Sequence, residues 1–270
     1  AMSGDSFQIT AGNDGGQFAI DGTTGVISTT GTATDYESDT AHTLTISVGD
    51  GTAATTETVS ISVTDVNEHD VSAVTDSNNA ENTVAENSAT GTGTGVTASA
   101  TDADGTTNAI TYSVTAQSCS GVFGVDSSSG VVTVADNTNL NFEVASSCTV
   151  EVTATSADTT SSAATLTIAV TDANDAPEIT STAVTSASED SAYAYTVTAS
   201  DPDTSDTLTM SGTTVPDWLS FDASTGALTG TPVGTNVGDH NVVITVTDGT
   251  ASVTDTFTIT VADTNDAPTF

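Results

Sequence analysis

One unit recurs three times in this chain: an alternating apolar segment, a turn built from Asp, Ser or Thr and Gly, and a second alternating segment. It reads FAIDGTTGVIS at 18–28, FGVDSSSGVVT at 123–133 and LSFDASTGALTG at 219–230. A second recurring segment is HTLTISVGDGT (42–52), CTVEVTATSAD (148–158) and HNVVITVTDGT (240–250). A third is ETVSISVTD, ATLTIAVTD and DTFTITVAD. Every one of them alternates. In HNVVITVTD, Val242, Ile244 and Val246 point one way and Val243, Thr245 and Thr247 the other. Period two in segments rich in Val, Ile and Thr, bounded by Gly, Asp and Ser, is the signature of β-strands. No stretch shows a 3.6-residue period. Several short strands per unit of about a hundred residues predict an all-β chain of tandem antiparallel Greek-key β-sandwiches of the immunoglobulin-like kind. Internal repetition divides the 270 residues into 1–68, 69–174 and 175–270. The first copy begins in mid-unit, so the pattern predicts an N-terminally truncated domain there.

Each third segment runs directly into an acidic hexapeptide: DVNEHD at 65–70, DANDAP at 172–177 and DTNDAP at 263–268. The first Asp of each is spaced from the next by 107 and then 91 residues, close to one domain length, so the hexapeptide is a linker between units. Composition says what such a linker is for. The chain carries 36 Asp and Glu, no Lys or Arg, and a formal charge of −36. No carboxylate can find a Lys or Arg partner, and self-repulsion on that scale opposes compaction. A folded state then needs cations from solution. The same balance excludes nucleic acid, which is bound through Lys and Arg, and direct docking on anionic lipid, which uses basic clusters. Acidic, aromatic-poor composition also fits disorder, but the regular alternation and a hydrophobic fraction of 36 % oppose it. No apolar run is long enough to cross a bilayer as a helix.

Carboxylates, an amide oxygen and bent backbone carbonyls are the hard oxygen ligands that Ca²⁺ takes, about six to eight per ion. A linker alone cannot fill that shell, so other acids have to converge on it. TDADG (101–105) and SDPDT (200–204) each place two Asp at i and i+2. TDYES (34–38) and LNFEV (140–144) place an acid or amide and a Glu at the same spacing, and VAENS (84–88) and SASEDS (186–191) carry a Glu on an early strand.

This assembly resembles the cadherin repeat over nearly the whole chain. The resemblance implies three Ca²⁺ between consecutive domains, an extracellular location, and ligands from a strand Glu, an Asp-x-Glu motif, the Asp-x-Asn-Asp linker, and an Asp-x-Asp and a later Asp of the next domain. Carried onto this sequence, the second junction would use Glu86, Glu143, Asp172, Asn174 and Asp175 with Asp201, Asp203 and Asp248; Asn141 stands where the family has the first acid of Asp-x-Glu. The first junction would use Asp35, Glu37, Asp65, Asn67 and Glu68 with Asp102 and Asp104. There Ser156 takes the place of the late Asp, and whether Asp158 reaches the site is open. The third unit, with VPDWLSFDASTGALTGTP at 215–232, is similar to dystroglycan-type cadherin-like modules. It keeps Glu189 but has no Asp-x-Glu ahead of Asp263, Asn265 and Asp266, which leaves that linker an incomplete site.

Other features favour structural roles. Trp218, Tyr193 and Tyr195 fall where an alternating strand packs, and His42 and His240 open the same strand of their units, while His69 lies in a linker. No Gly-x-Ser-x-Gly elbow or phosphate-cradling loop points to an enzyme. Paired carboxylates serve glycoside hydrolysis elsewhere, but here they fall at repeated junction positions. Cys119 and Cys148 are the only cysteines. A bridge between them, read ahead of two buried free thiols, implies an oxidising compartment. Two function classes follow. One is a calcium-stiffened extender or adhesive segment of a large surface protein, similar to bacterial RTX-type adhesins built from such units. The other is a module that binds extracellular or cell-surface polysaccharide. The partners expected are calcium and neighbouring repeats of the same chain.

Overall fold

The computed structural model describes residues 4, 6–106 and 108–265. Its regular structure is strand, with one short 3-10 turn at Gly234–Asn236. The chain clusters into two compact units. The first holds residues up to 84 with 88–140 and 147–169; the second holds 85–87, 141–146 and 170 onward.

In the first unit, β1 (Ser6–Ala11), β4 (Ala41–Gly49) and β5 (Ala54–Ser62) form an antiparallel sheet in the order β1-β4-β5, and β2 (Phe18–Ile20) pairs with β3 (Ile27–Thr29). Among the described residues, Phe18, Leu44 and Ile46 are the buried core between them. The inward face of β5 stays open, and an apolar hollow of about 290 Å³ is lined by Phe7, Ile20, Ile27, Ile46, Val48 and Val59.

Eight strands follow between residues 75 and 171. They are β6 (Thr75–Asp76), β7 (Thr83–Ala85), β8 (Gly93–Ser99), β9 (Ile110–Gln117), β10 (Phe123–Val125), β11 (Val131–Val134), β12 (Ser147–Ser156) and β13 (Ser161–Thr171). They make two sheets, β10-β11-β8-β6 and β7-β13-β12-β9. Strand β12 buries every second residue; Cys148, Val150, Val152 and Ala154 face in and Thr149, Glu151 and Thr153 face out, as period two requires. Cys119 and Cys148 are joined as a disulfide within this region.

In the second unit, β14 (Glu178–Ile179) pairs with β17 (Ala199–Ser200), and β16 (Tyr193–Thr196), β20 (Ala227–Gly230) and β19 (Leu219–Asp222) form a sheet in that order. The facing sheet is β15 (Ser186–Ser188), β22 (Ser252–Ala262), β21 (Gly238–Thr247) and β18 (Thr209–Thr214). Pairing is antiparallel except between β15 and β22, which run parallel. Val242, Ile244 and Val246 are buried with Tyr193, Tyr195, Leu228 and Ile259, and Trp218 packs against that core edge-on to Tyr193 and His240.

The repeated turn is the same object each time. Asp21, Asp126 and Asp222 accept hydrogen bonds from the backbone N–H two residues on, and Gly25, Gly130 and Gly226 follow with φ between 70° and 74°. A Cβ at Gly130 would lie 2.0 Å from the Ala98 carbonyl oxygen, so both conformation and space demand glycine there.

Candidate metal centre

The acidic motifs are positioned by strand ends. Glu86 stands one residue past β7, and its own N–H donates to the carbonyl of Thr171, the last residue of β13 (3.0 Å). Its side chain is 2 % exposed. Oε2 accepts from the Phe142 N–H (2.7 Å) and Oε1 from the Ala173 N–H (2.8 Å), tying the 141–146 turn to the linker. Glu189 repeats the arrangement: it follows β15, its N–H donates to the Ala262 carbonyl (3.0 Å), and its carboxylate accepts from the Thr264 N–H (3.3 Å).

Around Glu86, a carboxylate oxygen each from Glu86, Glu143 and Asp172 lies within 4.8 Å of the others. Burial and then the Asp203 and Glu86 charges push the Asp172 carboxyl above its ordinary pKa. For Glu143 a hydrogen bond from its own backbone works the other way, but burial and Glu86 outweigh it and the pKa is raised. The same unit holds the rest of this set. Asp201 Oδ1 accepts the Asp203 N–H (3.0 Å), Asp203 is buried and accepts the Asp175 N–H (2.7 Å), and Asn174 Nδ2 donates to Asp248 Oδ2 (3.1 Å). Asp175 in turn accepts from Asn87 Nδ2 (2.7 Å).

The other acidic set, inside the first unit, is built alike. Asp102 Oδ1 accepts the Asp104 N–H (3.1 Å), and Asp104, fully buried, accepts the Glu68 and His69 N–H groups (both 3.2 Å). Glu37 accepts the Gly105 N–H (3.0 Å), and Asp65 accepts both the N–H and the hydroxyl of Thr106. Two groups of converging carboxylates result, Glu37 with Glu68 and Asp104, and Asp102 with Asp104 and Asp158. Burial, then Glu37, Asp104 and Asp65, raise the Glu68 pKa.

Two of the expected residues also shape local turns, and one lies outside the described residues. Asp35 and Asn141 turn their Oδ1 atoms back onto local N–H groups, of Glu37 (3.0 Å) and Val144 (2.8 Å), and so shape the turns that present Glu37 and Glu143. Asp266 lies outside the described residues. Sequence reasoning left Asp158 open; the structure brings it to Asp102 and Asp104.

The fit to a cation rests on orphaned oxygens. Among the described residues, Asp65 Oδ1, Asp102 Oδ2, Asp104 Oδ2 and Asp201 Oδ2 are buried without a hydrogen-bond partner, and all four belong to the two acidic sets. Each of these carboxylates accepts a hydrogen bond on its other oxygen only, and a buried charge left incompletely paired is costly. With no Lys or Arg in the chain, a cation from solution is the positive partner open to them. An all-oxygen set selects a hard divalent cation, and flexible loops with many carboxylates suit Ca²⁺ over Mg²⁺.

Comparison with known proteins bears on the same segments. Residues 81–171 match the family model described as "Cadherin domain", and residues 176–262 the one described as "Putative Ig domain". Protocadherin Fat 4 of mouse is 39 % identical over 129 residues, 47 % of this chain, and the human protein is 39 % identical over 128 residues. The chain spans 2 % of the length of these relatives. In three dimensions the human desmocollin-1 ectodomain is 21 % identical with a TM-score of 0.63, over 98 % of this chain and 55 % of that one. Mouse cadherin-23 EC22-24 is 21 % identical with a TM-score of 0.56, over 97 % of this chain and 87 % of that one. These likenesses show the fold: tandem cadherin/immunoglobulin-like β-sandwiches.

Proposed function

We propose that this chain is a calcium-dependent extracellular adhesion segment, with domains at 1–68, 69–174 and 175–270 whose linkers are held by Ca²⁺. The observation that carries the reading is the set of four buried, unpartnered carboxylate oxygens at the two junctions of a chain without Lys or Arg. The cadherin match at 81–171 supports the adhesive setting, and the disulfide supports an oxidising, extracellular one. The formal charge of −36 on repeated units supports a place in a large bacterial RTX-type surface adhesin, where such a segment spaces an adhesive tip from the cell. The role is mechanical and non-catalytic.

Bound Ca²⁺ would supply the positive charge that lets the junction carboxylates sit together. The chain's own residues do the rest. Glu86 would hold the 141–146 turn and the 172–175 linker in one geometry through two backbone hydrogen bonds. Asp104 and Asp203 would present the Asp-x-Asp loops to the linker N–H groups. Among the described residues the large exposed hydrophobics are all valines, and no aromatic platform for a sugar ring supports the polysaccharide alternative. Thermal melts and solution scattering in calcium and in chelator test the proposal. A ligand that binds only the folded chain adds about 2.7 kcal/mol per site at a hundredfold excess over Kd, so calcium should raise Tm and narrow the distribution of chain dimensions. Coincident melts and profiles would reject it.

A further inference from the structure

The third recurring strand has a neighbour on its far side in two repeats and none in the first. β13 lies between β12 and β7, and β22 between β21 and β15, whereas β5 ends its sheet beside β4. Backbone hydrogen bonds show what the neighbour does. The Ala169 N–H donates to the Asn82 carbonyl (2.8 Å), and the Thr171 carbonyl accepts the Glu86 N–H (3.0 Å). In the last repeat the Thr260 N–H donates to the Thr185 carbonyl, and the Ala262 carbonyl accepts the Glu189 N–H (both 3.0 Å). Ser62 and Thr64 hold these positions in the first repeat, and among the described residues no strand runs beside them. An open strand edge is a template for another chain.

Two more places are open beside it. The glutamate that follows the neighbouring strand accepts the Phe142 and Ala173 N–H groups in the second repeat and the Thr264 N–H in the third. Tyr36 and Val66 stand where Phe142 and Ala173 do, and among the described residues their N–H groups meet no such acceptor. The segment then returns as a second strand across the repeated turn. The Gly130 carbonyl accepts the Ala98 N–H (2.8 Å), and the Gly226 carbonyl the Val197 N–H (2.9 Å). In the first repeat the atoms nearest a Cβ on Gly25 belong instead to the Phe7 ring (3.1 Å), beside the apolar hollow of about 290 Å³. The returning strands of the other repeats bury Val96 and Ala98, or Tyr193, Tyr195 and Val197.

We propose that the first repeat binds an extended segment of a partner polypeptide by strand addition. Its first residues pair along 62–64, and a glutamate then accepts from Tyr36 and Val66. A second strand of alternating apolar residues pairs with Gly25 and fills the hollow as the Phe7 ring turns aside. The occupant's chemistry is that of residues 82–99, NTVAENSATGTGTGVTAS: one acid, small polar residues, and apolar side chains at Val84, Val96 and Ala98. Strand addition takes affinity from main-chain hydrogen bonds and specificity from pockets for alternate side chains. The chain's own two stretches of this pattern, at 82–99 and 185–200, are already seated in their own repeats. A second copy could donate one only by vacating its own sheet, so the donor is a different polypeptide.

A labelled synthetic peptide of residues 82–99, added to the whole chain in calcium buffer and followed by fluorescence anisotropy, tests this. Saturable binding at least about tenfold tighter than that of a scrambled peptide is expected, with amide hydrogen exchange slowed at Ser62, Tyr36 and Val66. Val59→Asp puts a charge in the hollow at a position already 36 % exposed. It should weaken binding about tenfold or more, the scale of one apolar side chain denied burial. Thr58→Asp, on the opposite face of β5, should bind as the wild type does. Binding no tighter than that of the scrambled peptide, equal binding by Val59→Asp, or unchanged exchange at those three amides overturns the proposal. So does sedimentation showing that the wild-type chain self-associates without peptide through a contact that Val59→Asp abolishes, which would make the occupant a second copy.

Discussion

Replacing Glu86 by Gln separates what this carboxylate does for the fold from what it does for a cation. Glu86 is 2 % exposed and accepts two backbone N–H groups, from Phe142 and Ala173, one on each oxygen. Gln offers one oxygen and one NH₂, so one of the two N–H groups is left facing a donor. An unsatisfied buried amide costs about 1–3 kcal/mol. Against this, the substitution removes one of three negative charges within 4.8 Å, two of which already have raised pKa values. In chelator the two effects oppose, and the loss of stability should stay near or below that range. In calcium the relief disappears, because the cation has already neutralised the group, and a ligand is lost instead. Each tenfold loss of affinity removes about 1.4 kcal/mol of calcium stabilisation. For a unit of this size a kilocalorie shifts Tm by about 4–8 °C, so the calcium-induced rise in Tm should shrink by about 5 °C or more in Glu86→Gln. Thermal melts of both proteins, each with calcium and with chelator, give the comparison. Equal destabilisation in the two conditions would mean that Glu86 is a structural hydrogen-bond acceptor and nothing more.

Removing the disulfide by changing Cys119 and Cys148 together to Ala should cost about 3–4 kcal/mol on the loop-entropy account, given their separation of 29 residues; denaturant unfolding with a loss below about 1 kcal/mol would contradict it. Asp172, Glu68 and Glu143 have folded pKa values above their ordinary 3.8, 4.5 and 4.5. The stability they contribute is full below those ordinary values and is lost as pH rises through the folded ones. Chelated protein should therefore gain stability as pH falls from neutral toward the range just above 4.5. It should then lose stability as pH drops through 3.8 toward the pKa of about 2 to which hydrogen bonds to Thr52 and Ser129 lower Asp50 and Asp126. A Tm in chelator that falls steadily from neutral pH would count against this. Thr159→Gly should stabilise the chain by up to about 1 kcal/mol, because relief of a left-handed β-branched residue exceeds the added chain entropy; a lower denaturation midpoint would show that φ 79° carries no strain.

Period two was enough to read the strands, because a sandwich strand with one face buried writes its register into the sequence: Val242, Ile244 and Val246 lie inward as the alternation requires. The junction acids were legible for a similar reason. Each stands at a fixed distance from a strand end, so Glu86 and Glu189 are carried to equivalent places by β7 and β15. Loop length was not legible. Whether Asp158 folds back to Asp102 depends on a 156–160 loop one residue longer than its counterparts 50–53 and 248–251, and on a β-branched residue accepting positive φ; neither has a signature in residue type. The turn-shaping hydrogen bonds of Asp35 and Asn141 were hidden likewise, since residue type alone does not show which N–H groups an Asx side chain accepts. Nor does alternation reveal how little of the first repeat is covered, where β5 leaves Thr55, Glu57 and Val59 exposed and Ile61 partly buried.

Calcium counted directly on the whole chain tests the central claim most plainly. Equilibrium dialysis or isothermal titration at near-neutral pH should show saturable uptake of two or more Ca²⁺, little displaced by Mg²⁺ at equal concentration because Mg²⁺ sheds water reluctantly. Chelator should reverse the uptake and lower Tm in step. A chain that takes up no calcium at millimolar concentration, or melts at one temperature with and without it, would contradict the account.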